Sequence, residues 1–351
     1  MKFSVAWNRE KIRWGTARFA ANLTFLHRPM IGVSEAAQRR VNVAELIRIN
    51  AGFATIGQGA GPMMVTWKAG LFQRYGLDVP APRIMGGAKG VVRGLVSGEI
   101  QFGNLAAPAP LRSNLKGEAD LVFLTGGINQ QFIMGRPGIN SRAELAGKKI
   151  GFVGDGGLND ALVNFIIAKL ATAGITGLHR HAIPAGSDIE ALTSGECDAV
   201  VITPPESVYA KRKGCKYLVD FAEYGFNYAL GGIAARCDYV RNNPEITRKF
   251  IQAYVAGMHR YRTDREFTTG VQAEYSGISD PTVAEETYDL TQPGMPPVPY
   301  PVVSALQALL DFMSNEIPAA RTVDARRFID DSFVRQLEQN GFIAALAGST
   351  E

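Results

Sequence analysis

The chain has few cysteines, few histidines and little net charge, and each scarcity excludes a class of protein. Its three cysteines, Cys197, Cys215 and Cys237, lie far apart without a paired Cys or His motif, which excludes a zinc-ribbon site. We interpret them as small apolar side chains of the core. No run of about 18 apolar residues occurs, so we expect no membrane-spanning helix. The net charge is only +4 with scattered basic residues, which argues against a dedicated nucleic-acid binder.

What the chain does have is enough apolar sequence for a large core. Of its 351 residues 46% are hydrophobic, and this length predicts two domain-sized units. Residues 1–43 stand apart because they carry eight basic and two acidic side chains. A wrongly assigned start codon, a flexible basic arm and a divergent leader all fit this segment, since the apolar run of a secretory leader is missing. We expect residues 1–43 to be poorly ordered.

A short motif recurs inside the chain. Residues 95–99, LVSGE, return as LTSGE at residues 192–196. Each copy lies in a matched strand–helix–strand–helix–strand pattern. The predicted elements are strands at 46–53, 77–85 and 100–104 with helices at 62–75 and 88–96, and strands at 149–153, 178–183 and 199–202 with helices at 158–173 and 188–193.

Alternating strands and helices predict a mainly parallel sheet flanked by helices in each copy. In both motifs we expect a left-handed glycine, Gly98 or Gly195, to end the helix. A later strand-like run at 226–235 returns the chain to the first unit. We therefore predict an α/β fold of two lobes with a ligand cleft between them: lobe 1 from residues 44–134 and 232–346, and lobe 2 from residues 135–231.

Several segments together resemble one protein family. They are WKAGLFQRYGLDV at 67–79, GGA at 86–88, ELAGKKIG at 144–151, NPE at 243–245 and FIDDSF at 328–333. This pattern is similar to the solute-binding proteins of ABC importers for nitrate, sulfonate and taurine. The resemblance covers roughly residues 45–337 and is fairly specific for the family.

The resemblance implies a type II periplasmic-binding-protein fold, a small-molecule ligand and an ABC permease as partner. It also implies a periplasmic location. A cytoplasmic location is the alternative, because the sequence shows neither a clear leader nor a lipobox cysteine. We further expect a monomer that binds no nucleic acid and has no membrane span.

Candidate ligand-binding residues follow the predicted strands, at the sheet edge that faces the cleft. In lobe 1, Gln58 and Gly59 lie in a glycine-rich turn whose N–H groups can approach a ligand. Lys89 lies at a helix start, which favours an anion, although it could also point to water. Asn104 can both donate and accept hydrogen bonds.

Lobe 2 offers a different set of groups. Asp155 and Asn159 precede or begin a helix and equally fit a capping role. Thr203 and Glu206 follow a strand, and Glu206 could pair with a cationic group or cap the next helix. Asn129 and Asn227 lie near the two crossings between lobes; these ten residues complete the predicted site. Because Lys89 favours an anion and Asp155 disfavours one, a zwitterion, a polar heterocycle or an aromatic acid fits best.

No catalytic constellation is evident. The sequence has no nucleophile elbow, P-loop or paired-carboxylate motif, and it has no third ligand for a metal beside His179 and His181. We therefore predict no catalytic residue, no metal and no cofactor, and a binding protein that closes over its ligand. The alternatives are a cytoplasmic enzyme on the same fold, of the pyrimidine-precursor synthase or decarboxylase/lyase type, and a soluble sensor.

Overall fold

The structure is a computed structural model that describes residues 46–127, 130–154, 157–224 and 231–348. Residues Ala44–Glu351 group into one compact unit. The prediction for residues 1–43 lies outside the described residues. Within them, no helix is both long enough and apolar enough to cross a bilayer.

The described residues form strands and helices in alternation. The strands are β1 (Ile47–Arg48), β2 (Ala51–Phe53), β3 (Leu77–Asp78), β4 (Arg83–Ile84), β5 (Phe102–Ala106), β6 (Leu121–Phe123), β7 (Phe132–Gly135), β8 (Lys149–Val153), β9 (His179–Ile183), β10 (Ala199–Ile202), β11 (Lys216–Asp220) and β12 (Gly231–Arg236). The helices are α1 (Gly61–Lys68), α2 (Leu71–Arg74), α3 (Ala88–Ser97), α4 (Pro108–Leu115), α5 (Leu158–Thr172), α6 (Asp188–Thr193), α7 (Glu206–Arg212), α8 (Cys237–Asn242), α9 (Pro244–Thr263), α10 (Arg265–Ser276), α11 (Pro281–Thr291), α12 (Val303–Met313), α13 (Ser332–Gln339) and α14 (Phe342–Gly348).

Two five-stranded sheets define the two lobes. The strand order is β4-β2-β5-β12-β6 in lobe 1 and β11-β7-β10-β8-β9 in lobe 2. In lobe 1 only β12 runs against the others, since it is antiparallel to both β5 and β6. In lobe 2 the inverted strand is β7, which is antiparallel to β10 and β11. The predicted two-lobed, mainly parallel α/β fold is confirmed.

Each inverted strand is the first one the chain forms after it crosses between lobes. β7 follows the crossing after β6, and β12 follows the return after β11. We divide the lobes by sheet membership, which places β7 in lobe 2 and β12 in lobe 1. The predicted boundaries at residues 134 and 231 stay a proposal.

The repeated motif has the expected helix ends. Gly98 and Gly195 adopt φ of 77° and 78°, directly after α3 and after the Ser194 cap of α6. A left-handed residue there lets the chain leave the helix and enter the next strand at once. This confirms the local prediction in both copies.

Three predicted elements of lobe 1 are divided. The strand expected at 46–53 forms two strands, β1 and β2, which belong to different sheets. The strand expected at 77–85 is split into β3 and β4, because Pro80 and Pro82 lack the N–H that a sheet ladder needs. β1 and β3 pair with each other in a separate two-stranded sheet. The helix expected at 62–75 is interrupted at Gly70, which has φ of 67°.

The core of lobe 1 is built on long helix α9. Phe250 stacks on Phe102 of β5 with ring centroids 3.9 Å apart, and on Phe72 of α2 at 4.9 Å. Phe102 and Phe250 are both fully buried. Cys197 and Cys215 are also buried, and neither forms a disulfide, which agrees with their predicted role as small apolar side chains.

Candidate ligand-binding cleft

The turn after β2 is braced from two sides. The amide Nδ2 of Asn104 donates to the carbonyl of Gly59 at 2.8 Å, and the phenol of Tyr275 donates to the carbonyl of Gly57 at 2.9 Å. The predicted residues Gln58, Gly59 and Asn104 are thus brought together. Asn104 holds the shape of the turn with its amide nitrogen.

Gln58 supplies a buried acceptor. Its side chain is 4% exposed, and its Nε2 donates to the carbonyl of Gln130 at 2.5 Å. Because Gln130 offers an acceptor at that point, the amide orientation is fixed and Oε1 faces the other way. Oε1 is buried and has no hydrogen-bond partner among the described residues. Leaving such an acceptor unpaired costs about 1–3 kcal/mol, so a donor from a ligand would be favourable there.

Lys89 lies in the first turn of α3, as predicted. Its side chain is exposed, and it makes no hydrogen bond or ion pair with the described part of the chain. The structure therefore leaves it available to solvent or to an anionic group that approaches α3.

Two carboxyl groups lie near each other in lobe 2. Glu206 opens α7 after β10, and Asp188 opens α6 after β9; both are only partly exposed. Burial, together with the charge of Asp188, raises the pKa of Glu206 to about 7. Burial likewise raises the pKa of Asp188 to about 6. Near neutral pH the pair carries less than two full negative charges, and a nearby cation would draw both into the ionised form.

The first turn of α5 does not have the helix cap that the sequence predicted for Asn159. Asn159 is partly exposed and does not cap the helix, whose first flanking residue is Gly157 without a side-chain cap. The capping role proposed for Asn159 is therefore wrong. Asp160 is tied to Arg180, whose guanidinium lies 4.9 Å from the ring centroid of Phe152, so its negative charge is neutralised locally.

Of the remaining predicted residues, the structure describes only Thr203. Thr203 is partly exposed at the end of β10, and its carbonyl accepts the N–H of Ser207 at 2.9 Å. Asn129, Asp155 and Asn227 lie outside the described residues.

The crossings bring further polar groups to the cleft. Gln130 links the lobes, because its carbonyl accepts from Gln58 while its Nε2 donates to Asp220 of β11 at 2.8 Å. At the start of β12, Gly232 lies so close to the segment after β6 that a Cβ there would be 1.9 Å from the carbonyl oxygen of Thr125. The start of β12 is therefore tightly packed against the segment that follows β6.

Asp188, Gln130 and Tyr275 were not among the residues predicted from the sequence. Asp188 could have been found, since it follows β9 as Glu206 follows β10, and the same strand-end rule applies to both. Tyr275 could not, because it comes from a helix far along the chain. Within the described residues no group of His, Cys, Asp and Glu could hold a metal ion.

The periplasmic solute-binding proteins have two lobes, each with one inverted strand in its sheet, and the chain crosses between the lobes twice. The sulphonate-binding protein SsuA of Escherichia coli has this fold, with TM-score 0.66, 21% identity, and 82% of this chain and 92% of that chain covered. The nitrate-binding protein NrtA of Synechocystis PCC 6803 gives TM-score 0.67 at 15% identity, with 85% and 90% covered. The desulfurization enzyme DszB gives TM-score 0.61 at 15% identity, with 84% and 99% covered.

The chain belongs to the NMT1/THI5-like family, whose sequence model matches residues 59–264. This confirms the resemblance predicted from the sequence. No curated protein sequence matches the chain. The structural likenesses, all below 25% identity, establish the fold.

Proposed function

We propose that this protein is the substrate-binding component of an ABC-type importer. It captures one small polar organic molecule in the cleft, closes by rotation at the two crossings and presents the closed form to a permease. The observation that supports this proposal is a link between the lobes at the predicted site: Tyr275 donates to Gly57, beside Gln58, and lies near Glu206, which in turn lies near Asp188. SsuA and NrtA, which share the fold, are named for the solutes they bind. A periplasmic location belongs to the same proposal.

The chemistry of the cleft narrows the ligand class. The unpaired Oε1 of Gln58 accepts hydrogen bonds, as do the carboxyl groups of Asp188 and Glu206. A bare oxyanion would face these acceptors without donating to them. We therefore propose a ligand with a protonated amine or a similar donor group directed at Asp188 and Glu206. An acidic group, if present, points toward Lys89 and the start of α3.

A matched set of small compounds tests this ligand class. Ethanolamine, taurine and ethanesulfonate share a two-carbon skeleton and are a cation, a zwitterion and an anion near pH 7. We expect the two amines to raise the melting temperature more than ethanesulfonate does. We also expect Glu206→Gln to abolish that difference, while Glu223→Gln, an exposed carboxyl paired with Arg142, keeps it. A preference for ethanesulfonate would refute the amine assignment.

The binding role itself has a separate test. Native mass spectrometry of the freshly purified protein should detect a bound small molecule with one-to-one stoichiometry. Small-angle scattering should then show a smaller radius of gyration with that molecule than without it. Absence of any bound compound, together with no change in compactness across a broad screen, would refute solute capture.

An enzyme on this fold is the second candidate, and one observation favours it. A carboxyl group with a pKa of about 7, such as Glu206, can both take and give a proton near neutral pH. DszB is an enzyme that shares the fold. Incubating the protein with the compound it carries, and following products by mass spectrometry, separates the two functions. Repeated turnover that is lost in Glu206→Gln would establish the enzyme.

A further inference from the structure

A helical hairpin of lobe 1 extends along one helix of lobe 2. The hairpin consists of α10, the turn at 277–280 and α11, and it rests on α1 and α9 of lobe 1. The helix of lobe 2 is α7, which packs against β7 and β11 of its own sheet. This contact is separate from the two crossings and joins the lobes at a third place.

The contact begins at the cleft. Tyr275, near the end of α10, lies close to Glu206 at the start of α7. Burial chiefly, with Tyr261 and Glu206 as neighbours, raises the pKa of the Tyr275 phenol. The same phenol donates to the carbonyl of Gly57. Tyr275 therefore contacts the turn after β2 in lobe 1 and lies near Glu206, the first residue of α7.

The middle of the contact is apolar. Val208 of α7 packs with Ile278 in the hairpin turn and with Val283 and Ala284 of α11. All four side chains are at most 8% exposed. This cluster buries little apolar surface, so it stabilises the contact between the lobes only weakly.

The far end is a branched ion pair. Arg212, the last residue of α7, donates to Asp280 at 2.5 Å, to the hydroxyl of Thr282 at 2.7 Å and to Glu286 at 2.8 Å. Lys211 adds a second cation, with Nζ 3.6 Å from Glu286. The Arg212 side chain is 34% exposed, so salt in solution can weaken the network.

One rigid helix therefore connects this ion pair with the ligand site. Glu206 and Arg212 are the two ends of α7, about 9 Å apart along the helix axis. A short helix moves as a unit, so a displacement at Arg212 also moves Glu206 relative to Tyr275.

We propose that the α10–α11 hairpin is an electrostatic clasp that holds α7 against lobe 1 and sets the resting opening of the cleft. Lobe opening must separate α7 from the hairpin, while the crossings stay connected. The clasp concerns the ligand-free protein, so it stands whatever molecule the cleft binds.

The test measures the opening of the ligand-free protein directly. Small-angle scattering gives the radius of gyration, and hydrogen exchange gives the protection of α7 and of the hairpin. We compare the unchanged protein with Arg212→Ala at low salt and at about 1 M salt, where the screening length is about 3 Å. Arg212→Ala should increase the radius of gyration at low salt and speed exchange in α7 several-fold. In the unchanged protein, high salt should produce a similar opening.

The matched control lies in the same hairpin. Arg265 of α10 pairs with Glu285 and Asp289 of α11, entirely within lobe 1. Arg265→Ala removes ion pairs of the same kind and should leave the radius of gyration unchanged.

Charge reversal supplies a rescue. Arg212→Glu should open the cleft further, and adding Glu286→Arg should restore part of the compactness. An unchanged radius of gyration in Arg212→Ala would overturn the clasp. Equal opening in Arg265→Ala would also overturn it, because hairpin stability alone would then explain the effect.

Discussion

Glu206 offers a test that needs no ligand. It is a partly buried carboxyl of the proposed site near Asp188, and burial is the main reason for its raised pKa. The folded protein therefore holds the Glu206 proton more tightly than the unfolded chain does. The resulting stability is present at low pH and is lost as the pH rises through about 7. We predict that Glu206→Gln, which cannot ionise, stabilises the ligand-free protein at alkaline pH.

The magnitude follows from the two pKa values. The pKa of Glu206 rises from its usual 4.5 to about 7, and one pKa unit corresponds to about 1.4 kcal/mol. Ionising Glu206 in the folded state thus costs about 3 kcal/mol at pH 8 and less than about 1 kcal/mol at pH 5. Asp188 has a raised pKa for the same chief reason and acts in the same direction. For a chain of 351 residues the gain in Glu206→Gln at pH 8 corresponds to about 4 °C in melting temperature.

Thermal unfolding followed by circular dichroism at pH 5 and pH 8 measures this difference. The control is Glu223→Gln, because the hydrogen bond from Arg142 chiefly lowers the pKa of that exposed carboxyl. Glu223→Gln should not stabilise the protein at pH 8. Equal melting temperatures of Glu206→Gln and the unchanged protein at pH 8 would show that Glu206 is well solvated. The carboxyl pair would then lose its place in the proposed site.

Three other substitutions or treatments probe the fold. Gly98→Ala forces a side chain into a left-handed conformation and should cost about 1–2 kcal/mol in urea unfolding; no loss would contradict the helix end. Phe102→Ala should cost about 3–5 kcal/mol, whereas Ile84→Ala, which is 50% exposed, should change stability by less than about 0.5 kcal/mol. Cys197 and Cys215 should resist thiol reagents at pH 8 until the protein unfolds, because burial chiefly raises the pKa of both thiols; rapid native labelling would contradict their burial.

The lobes were predictable because their signals are local. The repeated LVSGE and LTSGE segments place a left-handed glycine between a helix and a strand, and a single stretch of sequence contains all of that information. The strand at Lys149–Val153 and the helix at Asp188–Thr193 have the predicted bounds. Sheet order was not predictable in the same way, since the insertion of β7 and β12 depends on pairing between distant segments.

Residues of the candidate site were predictable only where they lie at or soon after the end of a predicted strand. Gln58 and Glu206 follow strands, Asn104 lies within β5, and all three were predicted from the sequence. Tyr275 lies on a helix about 70 residues after Glu206, and nothing local indicates that it borders the cleft. The raised pKa of Glu206 likewise depends on burial and on the nearby charge of Asp188, which only the folded chain creates.

The placement of the inverted strands constrains how the lobes can move. β7 and β12 both lie inside their sheets, each with a neighbouring strand on both sides. Each of the two strands is therefore held between hydrogen-bonded neighbours, so we expect each sheet to move as a unit when the lobes rotate. The contact of Arg212 with Asp280 and Glu286 lies away from both crossings, on the one helix that also carries Glu206. We expect a rotation of the lobes to move α7 relative to the hairpin, so that the ion pair of Arg212 and the carboxyl of Glu206 respond to the same motion.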